Sequence, residues 1–233
     1  MIAPLSPDEW IVLALSLKVS LVAVALSLPI CFFLAWILSR WHFPGKLLVD
    51  ALVHLPLVLP PVVTGWLLLL LFGMNGLIGS WLSQVLGVTL LFRWTGAALA
   101  AAIMAVPLMV RAIRLSIEAI DGRLECAAAT LGASRMRIFL TISLPLALPG
   151  VLAAVVLGFA RSLGEFGATI TFVSDVPGET RTLPIAIYAA MQMPNGEPIV
   201  TRFAIISILL SLGALMLSEI LVRRIARGGR HVI

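Results

Sequence analysis

Charge is scarce in this 233-residue chain: 11 Asp plus Glu and 16 Lys plus Arg make up 12% of it, beside 61% apolar residues. Soluble domains carry about 25% charged and about 45–50% apolar residues, so a water-soluble globule is excluded. Cysteine is nearly absent, and Cys31 and Cys126 cannot build a disulfide framework. His42, His54 and His231 are scattered, so no Cys/His cluster has metal-ligand spacing. No serine stands in a G-x-S-x-G setting, and Gly45–Lys46 lacks the upstream glycine of a G-x-x-x-x-G-K-[ST] phosphate loop. The residues therefore offer neither an enzyme site nor an ATP-binding loop. Period-2 alternation is missing too, which argues for membrane helices over a barrel. The first apolar run follows Asp8, Glu9 and Trp10 without a basic n-region, so it reads as a retained segment, not a cleaved signal.

What is present is long apolar blocks, with a mean hydropathy of +1.12. At about 20 residues per crossing, the sequence predicts an all-α integral membrane protein, a single domain over 1–233, with five spans. These lie at about 10–39, 47–74, 94–118, 145–173 and 203–223. Ser80 to Leu91 is apolar but too short to cross, and reads as interfacial. Positive loops stay in the cytoplasm. Arg40, Lys46, Arg111, Arg114, Arg123, Arg135, Arg137, Arg223, Arg224, Arg227 and Arg230 fall on one side, against Arg93, Arg181 and Arg202 on the other. Eleven against three predicts an external N-terminus and a cytoplasmic C-terminus, a cytoplasmic loop over 119–145, and external loops over 75–93 and 174–202. The pI of about 10.2 then reflects topology and not a nucleic-acid partner, because the basic residues flank spans.

Proline punctuates the spans: Pro29 in the first, Pro56, Pro60 and Pro61 in the second, Pro107 in the third, Pro145 and Pro149 at the start of the fourth. Helices broken in lipid need neighbours or water to satisfy the freed backbone groups, as a bundle around a pathway provides. The small-residue run Gly96 to Ala102 suits close packing of the third span on another helix.

Two features stand above this background. In Asp121 to Pro145, DGRLECAAATLGASRMRIFLTISLP, an Ala-rich helix is followed by Gly132, suited to a C-cap, and by a basic apolar helix that Pro145 turns into the fourth span. The pattern fits a docking element; an interfacial hairpin without a partner fits it as well. Inside the fourth span, Arg161 and Glu165 stand at i, i+4, and charges at membrane depth cost roughly 2.5–3.5 kcal/mol each. They read either as a self-neutralising structural pair or, with Thr169, as one helix face lining a route. Lys18, in the first span, reads as a snorkelling residue.

The loop resembles the EAA signature of permease subunits of ATP-binding cassette importers: Glu-Ala-Ala, three residues, Gly, nine residues, then Ile-x-Leu-Pro. Here Ala127 and Ala128, three residues, Gly132, nine residues, and Ile142, Ser143, Leu144, Pro145 keep that spacing. Cys126 holds the Glu position, with Glu125 one place earlier. FARSLGEFGATITFV (Phe159 to Val173) and PGETRTLP (Pro177 to Pro184), with SLKVSLVAVALSLP, HLPLVLPPVVTG and PLMVRAIRLSIE, resemble the molybdate and sulfate oxyanion group, with molybdate favoured, tungstate left open beside it, and a sulfate or thiosulfate permease as the alternative. The resemblance implies a type I importer permease fold in the bacterial inner membrane, with the loop as coupling helix. It assigns ATPase coupling to Glu125, Cys126, Ala127, Ala128, Gly132, Leu144 and Pro145. It also implies a homodimer, two copies of an ATPase subunit carrying ATP and Mg, and a periplasmic molybdate-binding protein, with no cofactor on this chain. A self-contained secondary transporter would show paired repeats, and none is visible.

Overall fold

The structure, a computed structural model, describes residues 6–228. Among them all regular structure is helical. Ser6 caps the first helix, α1 (Pro7–Arg40), in a capping box with Glu9, and Pro7 takes the first turn, where a missing N–H costs nothing. At about 1.5 Å per residue its 34 residues reach about 51 Å, well beyond a hydrocarbon core of about 30 Å. Then follow α2 (Lys46–Val58), α3 (Pro61–Phe72), α4 (Leu77–Leu86) and α5 (Trp94–Glu118). The remainder comprises α6 (Gly122–Thr130), α7 (Arg135–Ile138), a π-helical segment (Phe139–Ser143), α8 (Leu144–Leu163), α9 (Gly167–Val173), α10 (Leu183–Met191) and α11 (Glu197–Gly228). Among the described residues four helices are long and apolar enough to cross a membrane; α2 and α3 reach that length and hydropathy only as a pair, bent by 115° at the break between them, as in a broken span or a re-entrant loop.

The spans differ from the sequence expectation where proline is concerned. Pro29, Pro56, Pro107 and Pro149 sit inside uninterrupted helices. Only the consecutive Pro60 and Pro61 break one, because a proline holds its predecessor out of the helical region; Pro60 is extended, at φ −54° and ψ 134°. Pro145 does not turn the chain either. It lacks the N–H that would bond Thr141, and the helix widens instead: the Leu144 N–H bonds back five residues to Phe139 O, and helix runs from Arg135 to Leu163. The fourth span does break, but at Gly164 to Phe166, where no proline stands.

α1, α5 and α8 form the centre of the bundle. Gly150 and Gly158 of α8 lie against Ser116 and Met109 of α5 so closely that a Cβ would sit 2.2 and 2.6 Å from their side chains. Small residues let the backbones approach, and dispersion contacts replace the hydrophobic drive that lipid cannot provide. Ala97, Ala98, Ala100, Ala101 and Ala105 of α5 are buried on the same logic. Outward faces carry exposed Leu21, Leu26, Ile30, Phe33, Ile208 and Leu209, the surface that lipid solvates. At one end of the bundle Arg181 donates to both carboxylate oxygens of Asp175, at 2.7 and 2.9 Å, which raises its pKa above the ordinary arginine value and ties the loop after α9. Arg202 similarly joins α11 to Glu9 of α1 at 3.0 Å. The other, basic end holds Arg40, Lys46, Arg114 and the α6–α7 elbow. The side chains of Arg223, Arg224 and Arg227, and all of Arg230, lie outside the described residues.

Candidate docking element and membrane-depth ion pair

Asp121 caps α6 through the Arg123 N–H at 2.9 Å, and Gly132 ends it. Gly132 has φ +82°, a left-handed position that costs a side-chain-bearing residue roughly 1–2 kcal/mol. Its N–H bonds Ala129 O at 3.0 Å and the Ala133 N–H bonds Ala128 O at 3.1 Å, the paired closure of a helix that stops on glycine. Ser134 then caps α7. No residue of α6 is buried, and the elbow stands outside the bundle with Leu131 89% exposed, beside exposed Leu124 and Met136. Cys126, Ala127 and Gly132 are exposed too, while Ala128 is half-buried; Leu144 and Pro145 lie in the first turn of α8 behind the π segment.

Glu125 faces the other way. Its Oε1 accepts from Arg40 Nη2 and from Ser143 Oγ, both at 2.7 Å, and so joins α6 to the end of α1 and to the π segment. In the sequence Arg40 reads only as a topology charge, and nothing local announces a partner 85 residues away. A second polar group joins α2 to α5 nearby: Asp50 accepts from Arg114 at 2.9 Å and lies 3.4 Å from His54, while Arg114 also pairs with Glu118. Of these contacts only the i, i+4 pairs His54–Asp50 and Arg114–Glu118 leave a sequence signal.

Deep in the bundle Arg161 and Glu165 meet at 2.5 Å. The single helix face expected of Arg161, Glu165 and Thr169 is interrupted, since α8 ends at Leu163 and α9 begins at Gly167. Glu165 occupies the break: one oxygen takes Arg161, and the other accepts the Ala168 N–H at 2.8 Å, satisfying a freed donor of α9. Its side chain is 2% exposed, against 25% for Arg161; Thr169 is buried. The two broken spans touch here, because a Cβ on Gly167 would sit 2.8 Å from Pro61 Cβ and one on Gly65 would sit 2.6 Å from Ala168 O. Thr64 beside them has a buried hydroxyl without a partner among the described residues. Lys18 lays its ammonium over Trp94, 3.6 Å from the ring centroid, reaching along α1 toward the start of α5.

The sequence profile described as "Binding-protein-dependent transport system inner membrane component" matches residues 15–227. The chain is 58% identical over 219 residues to the molybdenum transport system permease protein ModB of Escherichia coli (strain K12), spanning 94% of this chain and 96% of that protein. It is 38% identical over 200 residues to the sulfate transport system permease protein CysT of the same strain, spanning 86% of this chain and 70% of that one. Among solved structures, a bacterial ABC transporter involved in import of the acidic polysaccharide alginate aligns at TM-score 0.76 and 19% identity over 94% of this chain and 80% of that one. The MetNI methionine ABC transporter, in an inward-facing form, aligns at 0.68 and 16% identity over 93% of each chain. At those identities the likeness is one of fold.

Proposed function

We propose that this chain, which belongs to the binding-protein-dependent transport system inner membrane components, is the permease of an ATP-driven molybdate importer. The observation that carries the reading is the elbow: exposed Leu124, Leu131 and Met136 on the capped α6–α7 turn, which the bundle itself does not cover. An apolar patch outside the spans calls for a protein partner. That partner is a separate ATPase subunit, one on each of two permease copies, since the chain has no phosphate-binding loop. The basic end faces the cytoplasm and the N-terminus faces outward, toward a periplasmic molybdate-binding protein. ATP binding then closes the ATPase pair, moves the docked elbows, and shifts the bundle between inward-open and outward-open states. Coupling runs through Cys126, Ala127, Ala128 and Gly132 on the elbow and Leu144 and Pro145 behind it.

The 58% identity to a molybdenum permease, beside 38% to a sulfate permease, supports molybdate as cargo. Arg161 lines the route, and two copies present two cations to a tetrahedral dianion. Glu165 neutralises Arg161 in this conformation and holds the break, so selectivity rests mostly with the binding protein. Vesicles carrying the chain with its ATPase and binding protein are expected to import labelled molybdate in preference to sulfate; equal uptake of both removes the substrate assignment. Gly132→Ile, which strains the left-handed turn at a position where an added Cβ has no neighbour within 4 Å, is expected to abolish uptake while membrane insertion persists, whereas Gly132→Asn, tolerated in that conformation, retains part of it. Unchanged uptake in Gly132→Ile would sink the docking reading.

A further inference from the structure

Glu125 stands one place from the position that the importer signature gives to a carboxylate, yet its side chain is turned from the exposed face of the elbow toward the bundle. There it meets a stripe on α1. Phe32, Trp36 and Arg40 follow one another at i, i+4 spacing and share one side of the helix. Phe139, the first residue of the π segment, sets its ring edge-on to Trp36, with centroids 5.0 Å apart, and to Phe32 at 6.2 Å. The Arg40 guanidinium lies 5.6 Å from the Trp36 ring and donates to Glu125. Ser143, the last residue of the π segment and 2% exposed, donates to the same carboxylate oxygen. The wide turn is thus tied to one face of the first span at both ends, directly at Phe139 through the aromatic contact and at Ser143 by way of Glu125 and its bond to Arg40.

We infer that Arg40 and Ser143 are positioning residues of the coupling step: they hold Glu125 so that a displacement of α6 enters the first span as well as the fourth. The inference rests on the docking role proposed for the elbow. By its covalent connections alone, α6 would act only on α5 and α8. The π segment between α6 and α8 is a widened turn on that path, where the Leu144 N–H reaches back five residues to Phe139 O. A second grip on α1 bypasses it. With both partners about a quarter exposed, the Arg40–Glu125 pair adds little to stability, and its consequence lies in where it keeps the elbow.

The test uses the reconstituted complex and reads ATP hydrolysed per molybdate imported. Arg40→Ala is expected to raise that ratio by about fivefold or more, the low end of coupling between distinct sites, with basal ATP hydrolysis and ATPase retention unchanged. Ser143→Ala moves it the same way by less. Exchanging the charges, Arg40→Glu with Glu125→Arg, rebuilds the pair but leaves Ser143 without its carboxylate acceptor, and brings the ratio back to about that of Ser143→Ala. An unchanged ratio in Arg40→Ala, release of the ATPase from that variant, or failure of the exchange to restore coupling would each overturn the inference. Crosslinking from the exposed Cys126 to the ATPase separates the two readings, since Cys31 is buried and leaves one accessible thiol on this chain. Without that crosslink the docking role itself fails; with it, an unchanged ratio removes only the part assigned to Arg40 and Ser143.

Discussion

Two Arg–Glu pairs use the same chemistry in opposite ways. Arg161 and Glu165 are four residues apart, at membrane depth, with the carboxylate 2% exposed and also capping α9. Arg40 and Glu125 are 85 residues apart at the basic end, and both are about a quarter exposed. The deep pair holds a break in one span together. The shallow pair joins elements that the chain leaves independent. Burial therefore sets what a pair contributes to stability, and sequence distance sets what it can transmit.

Breaking the pairs one at a time grades that contrast by the burial of each pair's carboxylate. Arg161→Ala strands a buried Glu165 and is expected to cost about 3–5 kcal/mol in denaturant unfolding of the detergent-solubilised protein. Adding Glu165→Gln, which keeps the acceptor for Ala168, should recover most of that; if uptake stays lost while assembly returns, Arg161 acts on the route and not only on its partner. Arg202→Ala leaves Glu9, 9% exposed and still bonded by the Ser6 N–H at 2.7 Å, and should cost about 1–3 kcal/mol. Arg40→Ala should cost only about 0–1 kcal/mol in the same unfolding measurement, because water solvates the freed Glu125. Glu118→Ala, at a carboxylate 43% exposed, should fall within about 0.5 kcal/mol. A flat series, with equal losses at all four sites, would break the comparison.

The all-helical fold was legible in the sequence because lipid imposes it, since long apolar blocks can cross only as helices; the family was legible because the EAA spacing is kept although Cys126 holds the Glu position. The elbow was legible for a similar reason, since Asp121, Gly132 and Ser134 are local caps whose effect ends within a turn. The Arg161–Glu165 contact was visible at i, i+4 spacing, but its setting was not. A uniform helix was the natural reading of residues 145–173, and nothing in Gly164 to Phe166 is as emphatic as the Pro60–Pro61 pair that breaks the second span. Single prolines misled in the other direction, because each removes one hydrogen bond that a packed membrane helix tolerates.

By itself the sequence determined how many apolar segments the chain has, which of its ends is basic, and where its short helices begin and stop, all of which depend on neighbours within a few residues. Only the tertiary structure decided that the second and fourth spans break against each other, at Pro61 and Gly167, and that Glu125 is held by Arg40 and Ser143. Contacts of that kind depend on how helices pack in three dimensions, and packing pairs residues whose separation along the chain carries no period to read.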